Sequence, residues 1–176
     1  MRVKKITELN RLTVDKYKEE QKLPLVVVLD NVRSLNNIGA IFRSSDAFKV
    51  SAIYLCGITA VPPHAEIHKT ALGAEDAVDW KYFENTLDAI AELTGRGVEI
   101  CAVEQTTNSI MLNEFECKSR TEYAVVVGNE VKGVDQTVVD RCHCAIEIPQ
   151  EGTKHSLNVS VATGVVLWEF FKQMSR

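Results

Sequence analysis

The run Leu25-Val26-Val27-Val28-Leu29, followed at once by Asp30-Asn31-Val32-Arg33-Ser34-Leu35-Asn36-Asn37-Ile38-Gly39-Ala40-Ile41-Phe42-Arg43, sets the fold of this chain. The first five residues are continuously apolar instead of alternating, which suits a strand covered by helices on both faces and paired in parallel. The turn-rich segment after them runs into helical spacing. Strand, loop and helix form the unit of an α/β fold, and the rest of the chain repeats it. Five further runs read as strands: Ala52-Ile53-Tyr54-Leu55, Val78-Asp79-Trp80-Lys81-Tyr82, Val98-Glu99-Ile100-Cys101-Ala102-Val103, Tyr123-Ala124-Val125-Val126-Val127 and Ala145-Ile146-Glu147-Ile148. Helical spacing falls between them, near residues 37–48, 64–71, 84–95, 135–141 and 158–173. The pattern predicts an α/β domain over residues 24–176, with a mostly parallel six-stranded sheet and helices on both faces, after a helical extension over 1–23. No repeat, low-complexity stretch or linker interrupts it.

A chain of 176 residues with 45% hydrophobic content can bury one core, and one domain is expected. No apolar run is long enough to span a bilayer, and the start Met1-Arg2-Val3-Lys4-Lys5 lacks the apolar stretch of a secretory signal, so a cytoplasmic location is expected. Five cysteines without a repeating spacing predict reduced thiols, not a disulfide framework. The formal charge of −4 opposes the broad basic footprint of a protein that grips phosphates over its whole surface. A local patch can still steer RNA, and Arg2, Lys4, Lys5, Arg11, Lys16, Lys18, Lys22 and Arg33 concentrate positive charge in the first 33 residues.

The last helix carries Val159, Val161, Ala162, Val165, Val166, Leu167, Trp168, Phe170 and Phe171, which cover more than one stripe. One face can pack on the chain's own sheet; the other calls for a partner, expected to be a second copy.

Ligands of open α/β sheets settle outside the carboxyl ends of the strands, which directs attention to three loops. In the first, Asn37, Gly39 and Arg43 form an N-x-G-x-x-x-R pattern. Gly39 allows close approach of a backbone or ligand, and Arg43, about one turn on, can project toward the same pocket. Taken alone, these are equally a capping Asn, a packing Gly and a solvated Arg. In the second, Gly128-Asn129-Glu130-Val131-Lys132-Gly133-Val134-Asp135, two glycines flank a carboxylate and free backbone amides for a ligand. Val134-Asp135 stand where a phosphate-binding loop needs Lys-Ser/Thr, which disfavours a nucleoside triphosphatase. Gly95-Arg96-Gly97 precedes a strand and has Ile100 at the third glycine position, which disfavours a dinucleotide fold. The third loop, Ile148-Pro149-Gln150-Glu151-Gly152-Thr153-Lys154-His155-Ser156-Leu157-Asn158-Val159-Ser160, leads into the last helix, which Ser156 or Asn158 can cap. Cys142-His143-Cys144 has no second ligand pair at zinc spacing, so no metal is expected. Trp80 and Trp168 read as core residues, and His64, His68 and His155 lack the partners of a nucleophile relay.

Taken jointly and in this order, the three loops resemble the motifs of the SpoU family, also called TrmH-like, of the SPOUT methyltransferase superfamily. Asn37, Gly39 and Arg43 match its first motif, Gly128, Glu130 and Gly133 its second, and Ile148-Pro149 with Ser156-Leu157-Asn158-Val159-Ser160 its third. Lys69-Thr70-Ala71-Leu72-Gly73-Ala74 is similar to the segment before the third strand, with Thr and Leu where Ser and Ala are more usual. The resemblance runs from about Leu25 to the C-terminus and implies a C-terminal trefoil knot, otherwise almost absent from proteins. It also implies transfer of the methyl of S-adenosyl-L-methionine to a ribose 2′-hydroxyl of tRNA or rRNA. The implied cofactor residues are Gly128, Asn129, Glu130, Ile148, Gln150, Ser156, Leu157 and Asn158; the implied catalytic set is Arg43, Asn37, Glu130, Ser156 and Asn158. The family works as a homodimer, with the first-motif arginine of one subunit near the cofactor of the other. That arginine is sometimes described as a general base, but a guanidinium is a poor base near neutral pH, so Arg43 better suits binding a phosphate and stabilising a developing alkoxide. Two alternatives stay in view. One is a catalytically silent RNA-binding or S-adenosylmethionine-binding module, against which Arg43 argues; the other is a base-directed enzyme of the superfamily, against which the Ser156 to Ser160 string argues. With so short a segment before the first strand, the added RNA-binding domain of some relatives is not expected, and tRNA is expected ahead of rRNA.

Overall fold

A computed structural model describes residues 1–5, 8–9 and 11–175. In chain order the elements are α1 (Val14–Glu19), β1 (Leu23–Asp30), α2 (Leu35–Ala47), β2 (Val50–Cys56), α3 (Ala65–Ala71), α4 (Ala74–Ala77) and β3 (Trp80–Phe83). They continue as α5 (Thr86–Gly95), β4 (Glu99–Val103), β5 (Ile110–Met111), β6 (Tyr123–Val127), α6 (Gln136–Val139), β7 (Cys144–Glu147) and α7 (Val159–Met174). The strands form one sheet in the order β3-β2-β1-β6-β4-β7-β5. Every pairing in it is parallel.

The sheet has seven strands where six are expected. The extra strand, β5, is two residues long, too short for an apolar run or an alternation to announce it, and it exists through pairing with β7. The third strand begins at Trp80 and not at Val78, because residues 74–77 make a helical turn that ends with Val78 N donating to Ala74 O. No helix among the described residues is long and apolar enough to cross a membrane.

Successive side chains of β1 point to opposite faces, which explains its unbroken apolar run. Leu25, Val27 and Leu29 pack in the cluster that holds Ile38, Ile41 and Phe42 of α2 with Val166, Leu167 and Phe170 of α7. Val26 and Val28 pack on the other side with Ala89, Ile90 and Leu93 of α5. Tyr17 of α1 joins the first cluster. All five cysteines are free thiols.

Both tryptophans depart from the expected core placement. Trp80 lies on the edge strand β3 and is 37% exposed, and Trp168 is 53% exposed on α7. Trp168, Phe48 and Phe171 form an aromatic group with ring centroids about 5 to 6 Å apart. Val161, Val165 and Trp168 follow one another at helical spacing and stay exposed, while Thr163, Val166, Leu167 and Phe170 of the same helix are buried. The second apolar face of the last helix is therefore open to a partner.

Gly39 is a packing residue. A Cβ there would sit 2.1 Å from Thr70 Oγ1 and 2.3 Å from the Ile67 carbonyl oxygen, so α2 and α3 touch only because it has no side chain. Gly39→Ala is expected to destabilise the fold by roughly 1–3 kcal/mol through overpacking. Urea denaturation checks this; an unchanged midpoint would mean that α3 moves aside freely.

Candidate functional site

The three motif loops converge at the carboxyl edge of the sheet. Ser34 caps α2 by accepting from Asn37 N at 3.3 Å, and this leaves Arg33 N and Ser34 N pointing outward just ahead of the helix. The Glu130 carboxylate takes both, from Arg33 N at 3.0 Å and Ser34 N at 2.9 Å, and also accepts from Asn37 Nδ2 at 3.0 Å. An anion at a helix N-terminus is favoured by the helix dipole. Asn37 then passes the contact on: its Oδ1 accepts from Asn158 Nδ2 at 3.1 Å and from Ser160 Oγ at 3.5 Å. Asn158 is the N-cap of α7, with Oδ1 accepting from Ser160 N at 3.0 Å and Val161 N at 3.4 Å. One residue from each motif, Glu130, Asn37 and Asn158, thus forms a continuous hydrogen-bonded spine.

Burial acts to raise the Glu130 pKa and is outweighed by these bonds from Arg33 N, Ser34 N and Asn37, so the carboxyl is held below the ordinary carboxylate value. A carboxyl lowered by folding stabilises the native state at pH above its unfolded value, and that contribution disappears as pH falls through the folded value. Melting temperatures of the wild type and Glu130→Gln should therefore differ at pH 7 and draw together as pH falls below the ordinary carboxylate range. Curves that run parallel over that range would contradict an ionised Glu130 in the spine.

The second motif loop is a closed turn. Asn129 N donates to Gly133 O at 3.0 Å and Gly133 N to Asn129 O at 2.9 Å, with Gly133 at φ +72° where side chains are strained. Asn129 Oδ1 accepts from Val131 N and Lys132 N, and its Nδ2 donates to Asn31 O at 2.8 Å, tying this turn to the first loop. Gly128 admits the turn's own backbone: a Cβ there would lie 2.1 Å from the Gly133 carbonyl carbon.

A cavity of about 640 Å³ opens between this turn and the third loop. Gly128, Asn129 and Glu130 wall one side of it, and Ile148 and Gln150 line it after β7. Ser156, Leu157 and Asn158 complete the set of expected cofactor residues along its rim. Asn37 reaches it through its bonds to Glu130 and Asn158. Arg43 does not line it. That side chain lies exposed on α2, and among the described residues it makes no hydrogen bond or ion pair.

Two carboxylates that sequence reasoning passed over belong to the same edge. Asp30, 2% exposed at the end of β1, accepts from Asp135 N at 2.9 Å, Thr86 Oγ1 at 2.6 Å and Asn31 Nδ2 at 2.9 Å, and so holds the second loop to the first. Glu104 follows β4 and lines the cavity. A carboxylate closing an apolar strand was the available signal for both. The Cys142-His143-Cys144 stretch is spent on packing: His143 Nδ1 accepts from Ile100 N at 2.9 Å, and Cys144 Sγ lies 3.4 Å from Cys101 Sγ.

A parallel sheet with a ligand-sized cavity walled by loops at its strand ends is the arrangement in which α/β proteins place a small-molecule site. The particular family follows from comparison with known proteins: residues 24–168 match the model of the SpoU rRNA Methylase family, and the chain belongs to that family. It is similar to the 23S rRNA (guanosine-2′-O-)-methyltransferase RlmB of Vibrio parahaemolyticus, 32% identical over 173 residues that cover 98% of this chain and 68% of that protein. It is also similar to the tRNA (guanosine(18)-2′-O)-methyltransferase of Aquifex aeolicus, 34% identical over 156 residues, covering 88% and 72%. Among solved structures, the AdoMet-bound rRNA methyltransferase from Sinorhizobium meliloti superposes with a TM-score of 0.80 at 30% identity, over 89% of this chain and 59% of that one. The chain spans about two thirds of the RlmB relative and less of the Sinorhizobium meliloti structure.

Proposed function

We propose that this chain is an S-adenosyl-L-methionine-dependent RNA methyltransferase that modifies a ribose 2′-hydroxyl. The observation that carries this is a cavity walled by the second and third motif loops and tied to the first through the bonds of Asn37 to Glu130 and Asn158, in a chain whose relatives are named 2′-O-methyltransferases. The residues fit the cofactor. At about 640 Å³ the cavity falls within the ~300–1,000 Å³ of small-molecule sites. Val103, Val127, Ile146 and Ile148 offer apolar wall for an adenine, and the carboxylates Glu104, Glu130 and Glu147 outnumber the one lysine of the lining, Lys132, which suits a sulfonium cation. The AdoMet-bound relative supports the same assignment.

When bound, S-adenosyl-L-methionine supplies an electrophilic methyl on sulfur. The chain's own residues orient and stabilise. Gly128 to Glu130, Ile148 to Gln150 and Ser156 to Asn158 hold the cofactor. Glu130 fixes the start of α2 and, with Asn158, pins the Asn37 carboxamide at the cavity edge. The Arg43 guanidinium donors stabilise the developing alkoxide and grip the adjacent phosphate, leaving the proton to a phosphate oxygen or water.

Since Arg43 is exposed on the outside of α2, it is assigned to the cavity of a second subunit. A homodimer that covers Val161, Val165 and Trp168 of α7 supplies that arrangement and buries the open stripe. Trp168→Glu is expected to yield monomers with little methyl transfer, read by light scattering after size exclusion; a dimer of unchanged stability would move the interface elsewhere. The C-terminal trefoil knot belongs to the same reading. It is supported by β7 lying between β4 and β5, strands consecutive in sequence, the placement such threading needs.

RNA is the substrate class, with tRNA proposed ahead of rRNA and residues 1–23 as a further RNA contact; the location proposed is the cytoplasm. Purified protein with radiolabelled cofactor and unmodified tRNA or rRNA tests the activity, and mass spectrometry of the nucleosides distinguishes sugar from base methylation. Cofactor binding without transfer to either RNA would favour the silent module; label on a base would favour the base-directed enzyme.

A further inference from the structure

We infer that Glu104 is a ligand of the cofactor ribose, its carboxylate accepting from the two adjacent hydroxyls; this rests on the cofactor reading of the cavity. Glu104 directly follows β4, and its own N–H donates to Ile146 O of β7 at 3.1 Å, which fixes the backbone between two strands that border the cavity. Its carboxylate is fixed as well. Oε1 accepts from Gln105 N at 2.9 Å and Oε2 from Val134 N at 3.0 Å. Gly133 presses against it, since a Cβ at that position would lie 2.3 Å from Oε2. The side chain therefore reaches the cavity wall in one orientation, set by the turn that carries the second motif.

The chemistry selects the ligand group. A carboxylate oxygen accepts about two hydrogen bonds, so after one backbone donor each, both Glu104 oxygens keep an acceptor direction. Of the other carboxylates of the wall, Glu130 is more heavily engaged, carrying Arg33 N, Ser34 N and Asn37 Nδ2. Glu147 accepts from Ser109 Oγ at 2.6 Å on one oxygen, and so lacks the pair of backbone donors that orients Glu104. No cation pairs with Glu104 among the described residues. Two side-by-side acceptors on one rigid group complement two hydroxyls on neighbouring carbons, whereas an ammonium or an exocyclic amine presents one nitrogen. A strand-end carboxylate holding ribose hydroxyls has a physical precedent in dinucleotide folds.

Calorimetric titration of the wild-type protein with S-adenosylhomocysteine and its 2′,3′-dideoxy counterpart tests this. The wild type should lose about tenfold or more in affinity when the diol is removed, as expected for charge-assisted hydrogen bonds. Glu104→Gln, and independently Glu104→Asp, should bind S-adenosylhomocysteine about tenfold more weakly and no longer distinguish the two ligands. Equal wild-type affinity for both ligands overturns the inference, as does a variant that weakens both alike, the mark of a merely structural carboxylate; either leaves the cofactor reading standing. A wild-type protein that binds neither ligand overturns the cofactor reading and the inference with it.

Discussion

Arg43→Ala will abolish methyl transfer, by roughly a thousandfold or more, while leaving folding and cofactor affinity close to wild type. Removing one preorganised donor to a developing oxyanion costs about 10²–10³ in rate, and Arg43 is also assigned to hold the neighbouring phosphate, which adds a positioning loss. Stability should be spared, because among the described residues the exposed Arg43 side chain has no hydrogen bond or ion pair to lose. Initial rates with RNA, cofactor titration by calorimetry and a thermal melt separate these effects. Near-normal turnover would remove Arg43 from the reaction.

Gly128→Ala should have the opposite profile, losing the cofactor site itself. A Cβ at residue 128 would lie 2.1 Å from the Gly133 carbonyl carbon, 2.2 Å from Val134 N and 2.3 Å from Gly133 O, all backbone atoms that cannot swing aside. The turn must open, breaking the paired Asn129 and Gly133 bonds and moving Glu130 off the start of α2. A displacement of about 1 Å in such a constellation costs on the order of a hundredfold, and cofactor affinity should fall at least that far, with about 1–3 kcal/mol lost from stability. Wild-type affinity in this variant would place the ligand elsewhere. The two variants also test the shared site together. Under the proposed homodimer, a one-to-one mixture sets an intact cavity of one protomer against an intact Arg43 of the other in half of the dimers, so about a quarter of wild-type activity should return. No recovery in demonstrated mixed dimers would show that Arg43 serves its own chain.

Local patterning made most of the architecture readable. The unbroken apolar run at 25–29 could satisfy only a strand with two covered faces, and the alternation of such runs with helical spacing left a parallel α/β sheet as the consistent outcome. Six of the seven strands were legible as short runs rich in β-branched and aromatic residues, several of them unbroken by a charge. The three loops were legible too, through residue types that free or cap backbone groups. Hydrophobicity said less about direction: Trp80 and Trp168 look like core residues by composition, yet an edge strand and the outer face of α7 leave them open.

Covalent order thus prescribed the periodicities, and through them the elements and the loops between them, because burial of apolar side chains depends on local spacing. Long-range geometry set the rest. β5 exists only where β7 offers it a partner, and the spine joins Asn37 to Glu130 and to Asn158 across 93 and 121 residues. The carboxylates of Asp30 and Glu104 gain their roles from amides of a distant turn. Hydrogen bonds act over about 3 Å, so which groups meet is fixed by how the packed strands align their ends, information that no stretch of neighbouring residues contains.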